Sequence, residues 1–380
     1  MAVADLVLNG FEMALTRATI VGNAAVSTTN PRTGTYSLRP NPSASTSTAA
    51  FKTFAATGLI GTNLGRTAET FYTVYIRITT LPGSSTIGIM GVQASAGTSV
   101  VRVDMTTGGA LTLVGTSTSA TVATLSTGTW YRLDLRVTSN GTSGLKVNGG
   151  SETTITANNV TQDQLVLGVM TSETADIHWD DMVIGTTSPG GAVEIKRIGP
   201  NAIGSQTSGW TGGTATGGDY VHVDEVSQDG DTTYWGASGS TTARRTVALE
   251  NCATVSITGT VHAVLGLAVV RDEGGSSGMG VTMRNGSTNS DKTSLDPGSA
   301  YTALCHLRTT DPNGGGAWTT SGVDSLEVGV YANDITAVRC TMLAAEVAYT
   351  PAAGAASSTG PLVNTGLINR GLVNGGLVSG

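Results

Sequence analysis

This sequence predicts an all-β chain: two β-sandwich, jelly-roll-like domains followed by an extended C-terminal arm. Three observations predict it. Charged residues make up only 12% and aromatic ones 5%, while glycine occurs 52 times. That is a composition of small β-compatible residues divided by turns. Apolar and polar residues alternate in run after run, which is the period of a strand with one buried face. The runs stop at Ser188-Pro189-Gly190-Gly191 and then restart, marking a boundary between two units. The expected domains are residues 1–187 and 198–351, with a linker over 188–197 and the arm over 352–380.

In the first unit, "FYTVYIRITTLPG" places Tyr72, Val74, Ile76 and Ile78 on one face and Thr73, Tyr75 and Arg77 on the other, ending at Pro82-Gly83. "VVRVDM" sets Val101, Val103 and Met105 against Arg102 and Asp104, and "ALTLVG" follows as the next strand. "WYRLDLRVTSNG" buries Tyr131, Leu133, Leu135 and Val137 and turns at Asn140-Gly141. "GLKVNGGSETTI" predicts a hairpin with its turn at Asn148-Gly149-Gly150, a pair type that accepts left-handed backbone. "QLVLGVM" and "DIHWDDMVIG" complete the set. In the second unit, the apolar run Val261–Val270 predicts a strand buried on both faces or against a partner. Trp318, in "GAWTTSGVDSLEVGV", predicts a turn or short helical turn leading into a strand.

These residues carry a resemblance. "GFEM" (10–13), "PRTGTYSLR" (31–39), "GTWYRLDLRV" (128–137), "LKVNG" (145–149) and "IHWDDMVIG" (177–185) resemble concanavalin A-like (laminin G-like) jelly-roll modules of bacteriophage virion proteins. "VDEVSQDGDTTYW", "VVRDEGGSSGMGVTMRNG" and "TTDPNGGGAWTTSGVDSLEVGV" resemble a β-sandwich block of tailed-phage structural proteins. The resemblance implies a place in the virion and no chemical activity. It also implies that the Asp224–Trp235 segment joins two strands.

The residues themselves point the same way. A glycosidase on such a fold needs two carboxylates about 5–10 Å apart across a cleft, and the E-x-D-x-x-E string that supplies them in jelly-roll glucanases is missing. The nearest cluster is Asp176, Asp180 and Asp181 around Trp179. Alternation sends Asp180 with His178 and Asp181 with Trp179, so strand-end carboxylates holding turns or backbone amides are the expected role. Calcium asks for six to eight oxygens. Asp224, Asp229 and Asp231, with Glu225 and the turn at Gly230, are the candidate set, against the alternative of a solvated acidic turn. The histidines (178, 222, 262 and 306) lack a nucleophile at a recognisable spacing, and Cys305 and His306 face opposite ways as strand neighbours. Cys252, Cys305 and Cys340 show no zinc spacing and are expected as buried free thiols. Trp210 and Trp318, in glycine-rich stretches, either stack on a glycan or plug a sandwich end.

The net charge of −7 is thinly spread, which speaks against nucleic acid as a partner. No run reaches the ~18 apolar residues of a membrane helix, and the N-terminus has no basic region before an apolar stretch. Synthesis in the host cytoplasm is therefore expected, followed by incorporation into the particle. The chain ends in a refrain of period five: Leu362-Val363, Leu367-Ile368, Leu372-Val373 and Leu377-Val378, spaced by glycine. Five is neither the helical nor the strand period, and glycine in every unit costs a helix about 1 kcal/mol each. An extended arm laid on a neighbour fits that pattern. The function expected is a non-enzymatic virion structural protein, a tail fibre, appendage or capsid-decoration component. It would meet other virion proteins and copies of itself, as a homo-oligomer such as a trimer. The alternatives are a phage adhesin for host surface glycans or another receptor and, behind it, a carbohydrate-active enzyme.

Overall fold

The strand Thr70–Thr80 shows how the chain builds its first half. Tyr72, Val74, Ile76 and Ile78 are fully buried, as alternation requires. Thr73 and Tyr75 on the other face are buried as well: the Arg32 guanidinium lies over the Tyr75 ring and the Thr73 hydroxyl donates to Asp134 at 2.9 Å. The structure is a computed structural model that describes residues 6–12, 18–40, 46–52, 69–94, 97–188, 191–212, 219–239, 243–274, 278–295, 297–333 and 335–352. The C-terminal refrain, Leu362 to Val378, lies outside the described residues.

Four antiparallel sheets make the molecule. Sheet 1 runs in the order Thr153–Thr156, Thr142–Val147, Trp130–Val137, Thr70–Thr80, Asp176–Gly185, Ser37–Arg39, Ala25–Ser27, with Leu6–Asn9 also paired to Asp176–Gly185. Sheet 2 runs Ser119–Thr124, Ala110–Val114, Ser99–Met105, Ile87–Gln93, Gln164–Val169, Ser47–Lys52, Ala18–Val21. Their inner faces share one apolar core around Trp179, Phe51, Val103 and Leu135. Sheet 3 contains Thr211–Gly212, Trp235–Gly239, Ile335–Pro351, Gly259–Asp272 and Thr302–Arg308, with Glu194–Ile198 also paired to Ile335–Pro351. Sheet 4 contains Pro200–Thr207, Ala243–Leu249, Leu326–Asn333, Gly278–Asn285 and Thr288–Leu295. Trp235, Val264, Val281 and Val328 lie in the core of this second sandwich.

Local signals translate directly. The Asn148-Gly149 turn joins two antiparallel strands, with φ of 52° and 72° at its central residues. Within Gly259–Asp272 the run from Ala263 to Val270 is buried on both faces: Val264, Ala268 and Val270 enter the sandwich core, Ala263 and Leu265 pack toward Leu8 and Val183 of the first domain, and Leu267 and Val269 join Ala303 and Met342. Thr320–Asp324 is the short helical turn after Trp318, capped by the Thr319 side chain accepting from the Gly322 amide.

One expectation is corrected. Residues 194–197 are not linker: Glu194–Ile198 is a strand registered on Ala345 to Tyr349. Its pairing with Ile335–Pro351 makes it part of sheet 3, with Ile195 and Ile198 packed into different apolar clusters, so the second domain begins earlier than glycine and proline suggest. The acidic segment Asp224–Trp235 lies, as expected, between two strands, Thr211–Gly212 and Trp235–Gly239, which pair with each other, and the 3-10 turn Asp219–His222 precedes it.

Candidate functional site

The two sandwiches meet along a seam, and the most elaborate polar arrangement of the described residues lies there. Asp176–Gly185 carries a register shift between Asp180 and Val183, with Asp181 at φ 49°. A bulge re-aims side chains. It breaks the alternation expected of Asp180 and Asp181 and turns both carboxylates toward the loop 31–33. Asp180 Oδ2 accepts the amides of Arg32 (2.7 Å) and Thr33 (3.3 Å), and its Oδ1 accepts the Asp181 amide (2.8 Å). Asp181 pairs with the Arg32 guanidinium and accepts the Ile195 amide at 2.6 Å and the Thr33 hydroxyl at 2.7 Å. These carboxylates hold backbone amides, the role the sequence favoured.

Arg32 ties the seam together. Its guanidinium lies 3.5 Å over the Tyr75 ring and 3.8 Å from Glu194, on the first strand of the second domain. Burial pulls its pKa down and Asp181 more than restores it, so the cation persists. Glu194 accepts the Tyr349 hydroxyl at 2.6 Å. Glu346, at the centre of sheet 3, accepts the Gly10 amide from the first domain at 3.2 Å. Leu8 and Val183 pack on Leu265, Cys305 and Ala348 to close the apolar part.

Glu12 is the most perturbed of these groups. Its carboxylate accepts the amides of Thr35 and Tyr36 at 2.9 Å and is 2% exposed. Burial pushes its pKa up to about 8, against those amides and with help from the charges of Glu346 and Asp181. Burial likewise raises Asp180 well above the usual range, with Asp181 adding to it, and raises Asp181 against the pull of Arg32. A carboxyl near 8 in a cleft is the profile of a general acid. Both Glu12 oxygens face backbone amides instead, and Gly34 (φ +60°) sits so close that a Cβ there would lie 2.3 Å from Oε1. Glu12 is among the residues lining the cleft beside the seam, with its oxygens turned onto those amides.

Beside the seam a cleft of about 620 Å³ opens between the sandwiches. Arg32 to Thr35 line one side, and Glu194, Lys196, Glu250, Thr258 and Tyr349 the other. Its polar groups are already engaged: Lys196 Nζ donates to the carbonyls of Val255 and Ser256, each at 3.1 Å, and Glu250 accepts the Gly199 amide at 3.1 Å. Burial, then Glu194, pushes the Tyr349 hydroxyl pKa upward.

The other candidates fall elsewhere. Trp210 and Trp318 are each 4% exposed and belong to the core of the second sandwich. Trp318 Nε1 donates to the Arg308 carbonyl at 3.0 Å. Neither offers a face to a sugar, which corrects the stacking reading in favour of the plug. Asp224, Asp229 and Asp231 do not converge. The Asp224 carbonyl accepts from Arg197, Asp229 accepts from Thr233 and Thr341, and Asp231 pairs with Arg271 and Arg339. Among the described residues no group of three or more His, Cys, Asp or Glu could hold a metal. The candidate calcium residues are thus held by five different partners, Arg197, Thr233, Thr341, Arg271 and Arg339. His178 meets Ser37 at 3.0 Å and His306 meets Ser290 at 2.9 Å; burial pushes each pKa down to about 4. The three cysteines are buried and free, and burial pushes the Cys252 thiol up to about 12. Among the described residues no helix is long and apolar enough to cross a membrane.

No family model matches the sequence, and no curated protein does. Solved structures similar to the chain include the cellulose induced protein Cip1, at 17% identity and a TM-score of 0.39 over 49% of this chain and all of that one. A sialidase matches at 12% identity and a TM-score of 0.39, over 49% of this chain and 19% of its own length. A botulinum neurotoxin serotype D binding domain matches at 12% and 0.34, over 46% of this chain and 43% of that one. At these identities and scores the likenesses assign neither ligand nor activity.

Proposed function

We propose that this chain is a non-catalytic structural component of a bacteriophage particle, a fibre, appendage or decoration protein attached through its C-terminal repeat. The observation that supports this is where the seam's chemistry goes. Its carboxylates and its arginine are spent on backbone amides and on one another, fixing the two sandwiches together. Removing residues 360–380 is the test. Light scattering after size exclusion should show the intact chain as an oligomer and the truncated chain as a monomer, with unchanged far-ultraviolet circular dichroism. A truncated chain of unchanged mass rules out attachment through the repeat.

A second reading, an adhesin, has one specific observation in its favour: the cleft between the sandwiches, with the Tyr349 ring and polar groups along its walls. A volume of that size suits a mono- or disaccharide. Retention of the full chain on a glycan array should then disappear in Thr258→Trp, which fills the cleft from an exposed position. Absence of any retained glycan ends this reading.

A further inference from the structure

We propose that the cleft between the two sandwiches is the seat of the chain's own C-terminal repeat, and holds its first apolar pair, Leu362-Val363, against Pro31, Val226, Val255 and Pro351.

The place where the chain leaves the second domain points there. Ile335–Pro351 is the last described strand, and its final residue lies in the cleft wall. Pro351 is registered on Gly259, and the Ala352 amide donates to the Thr258 carbonyl at 3.1 Å. The chain is thus held at the cleft rim up to the start of the tail. Glycine at 259 permits that hold: its φ is +117°, and a Cβ there would lie 2.5 Å from the Ala352 nitrogen. Residues 353–361 separate Ala352 from Leu362 and are alanine, glycine, serine, threonine and one proline. Fully extended, that spacer spans about 30 Å, enough to turn back into a cleft that begins at its own first residue. A short flexible link keeps its end at millimolar effective concentration.

The walls suit an apolar guest. Their charged groups already have partners within the protein: Glu12 the amides of Thr35 and Tyr36, Arg32 the Asp181 carboxylate, Glu194 the Tyr349 hydroxyl, Lys196 the carbonyls of Val255 and Ser256, Arg197 those of Asp224 and Glu225, and Glu250 the Gly199 amide. Val226, 40% exposed, is one of three large hydrophobic side chains that stand out from the described surface. Pro31, Val255 and Pro351 are half-buried around the same space. The repeat brings almost no charge to this wall, since Arg370 is the one charged side chain between Gly360 and Gly380. Seating Leu362 and Val363 takes apolar surface out of water on both sides, which is the force that favours it. The pairs from Leu367 onward are left for a neighbour, the role given them by the attachment proposed above, on which the purpose of this seat rests.

Disulfide trapping on the full chain tests this. Thr258→Cys with Gly360→Cys puts one thiol on an exposed rim residue and the other two positions before the pair. The native cysteines are buried. Oxidised glutathione takes up the two electrons and two protons as the bond closes. Closure should occur within one chain, read as a faster band of unchanged mass on a non-reducing gel. Val226→Glu, at an exposed position, should slow it about ten-fold, the loss of roughly one buried apolar contact, and Leu362→Ser with Val363→Ser should do the same. No closure overturns the proposal, as does closure at a rate that these substitutions leave unchanged, because the thiols then meet by collision alone. A disulfide-linked dimer overturns it and gives the cleft to a second copy's repeat. Closure blocked by a glycan that the array retains overturns it in favour of the sugar. If trapping fails while the chain lacking residues 360–380 is monomeric, only the seat is lost. If trapping succeeds while that chain keeps the mass of the intact one, only the attachment is lost.

Discussion

Asp181→Ala is expected to lower the free energy of unfolding by about 3–5 kcal/mol, the range for breaking a buried ion pair by removing one partner. The side chain is fully buried and its accepting oxygens serve the Arg32 guanidinium, the Thr33 hydroxyl and the Ile195 amide. Alanine takes the acceptor from the Ile195 amide and the ion-pair partner from Arg32, while the Thr33 hydroxyl keeps the Ile195 carbonyl at 2.9 Å. Arg32, 12% exposed, would lose its close partner and be left near Glu194, at 3.8 Å, and the Val193 carbonyl, at 3.3 Å. The loss should be non-additive: Arg32→Met combined with Asp181→Leu replaces the pair with apolar groups and should lose less than Asp181→Ala alone. Urea unfolding followed by tryptophan fluorescence measures both. A single-variant loss below about 1 kcal/mol, the range for exposed pairs, would mean that the seam is open to water and the pair contributes little.

This arrangement also shows where sequence reasoning stops. Alternation over Tyr72–Ile78 or Leu133–Val137 is a local property, and each side chain lies where its neighbours place it. The doubly buried run Val261–Val270 was legible for the same reason. The seam is assembled from residues as far apart as Gly10 and Glu346, 336 positions in sequence, and no local period encodes it. The bulge at Asp180-Asp181 inverts the face that alternation assigns, and nothing in the residues on either side announces the left-handed backbone at Asp181. One signal was nonetheless present. Glu12 and the Asp180-Asp181 doublet are carboxylates set among apolar neighbours in a chain with only 12% charged residues. Such groups have to find donors in the folded state. Glu194–Ile198 carried no such signal: Ile195 and Ile198 are three apart and pack into different clusters, so no period of two marks the strand.

The second large expected effect concerns the tryptophans, whose glycine-rich surroundings suggested exposure. Glycine marks where a chain turns; it does not report which way the neighbouring ring points. Trp318→Ala should cost the second sandwich about 3–5 kcal/mol, the range for emptying a buried aromatic site. The ring is 4% exposed, shares the core with Val323 and Leu326, and donates from Nε1 to the Arg308 carbonyl. Its loss opens a cavity at the end of the sandwich and strands that carbonyl. Trp210→Ala should act alike, since Trp210 is 4% exposed and its own carbonyl accepts from the Arg245 guanidinium at 2.7 Å. A ring serving as a sugar platform behaves in the opposite way: an exposed aromatic can be removed at a cost within about 0.5 kcal/mol, and the variant loses a ligand instead of stability. Thermal unfolding of the two variants beside their retention on the glycan array separates these outcomes. A variant of undiminished stability that no longer retains a glycan would return the tryptophans to the surface and move the binding site from the junction to the second sandwich.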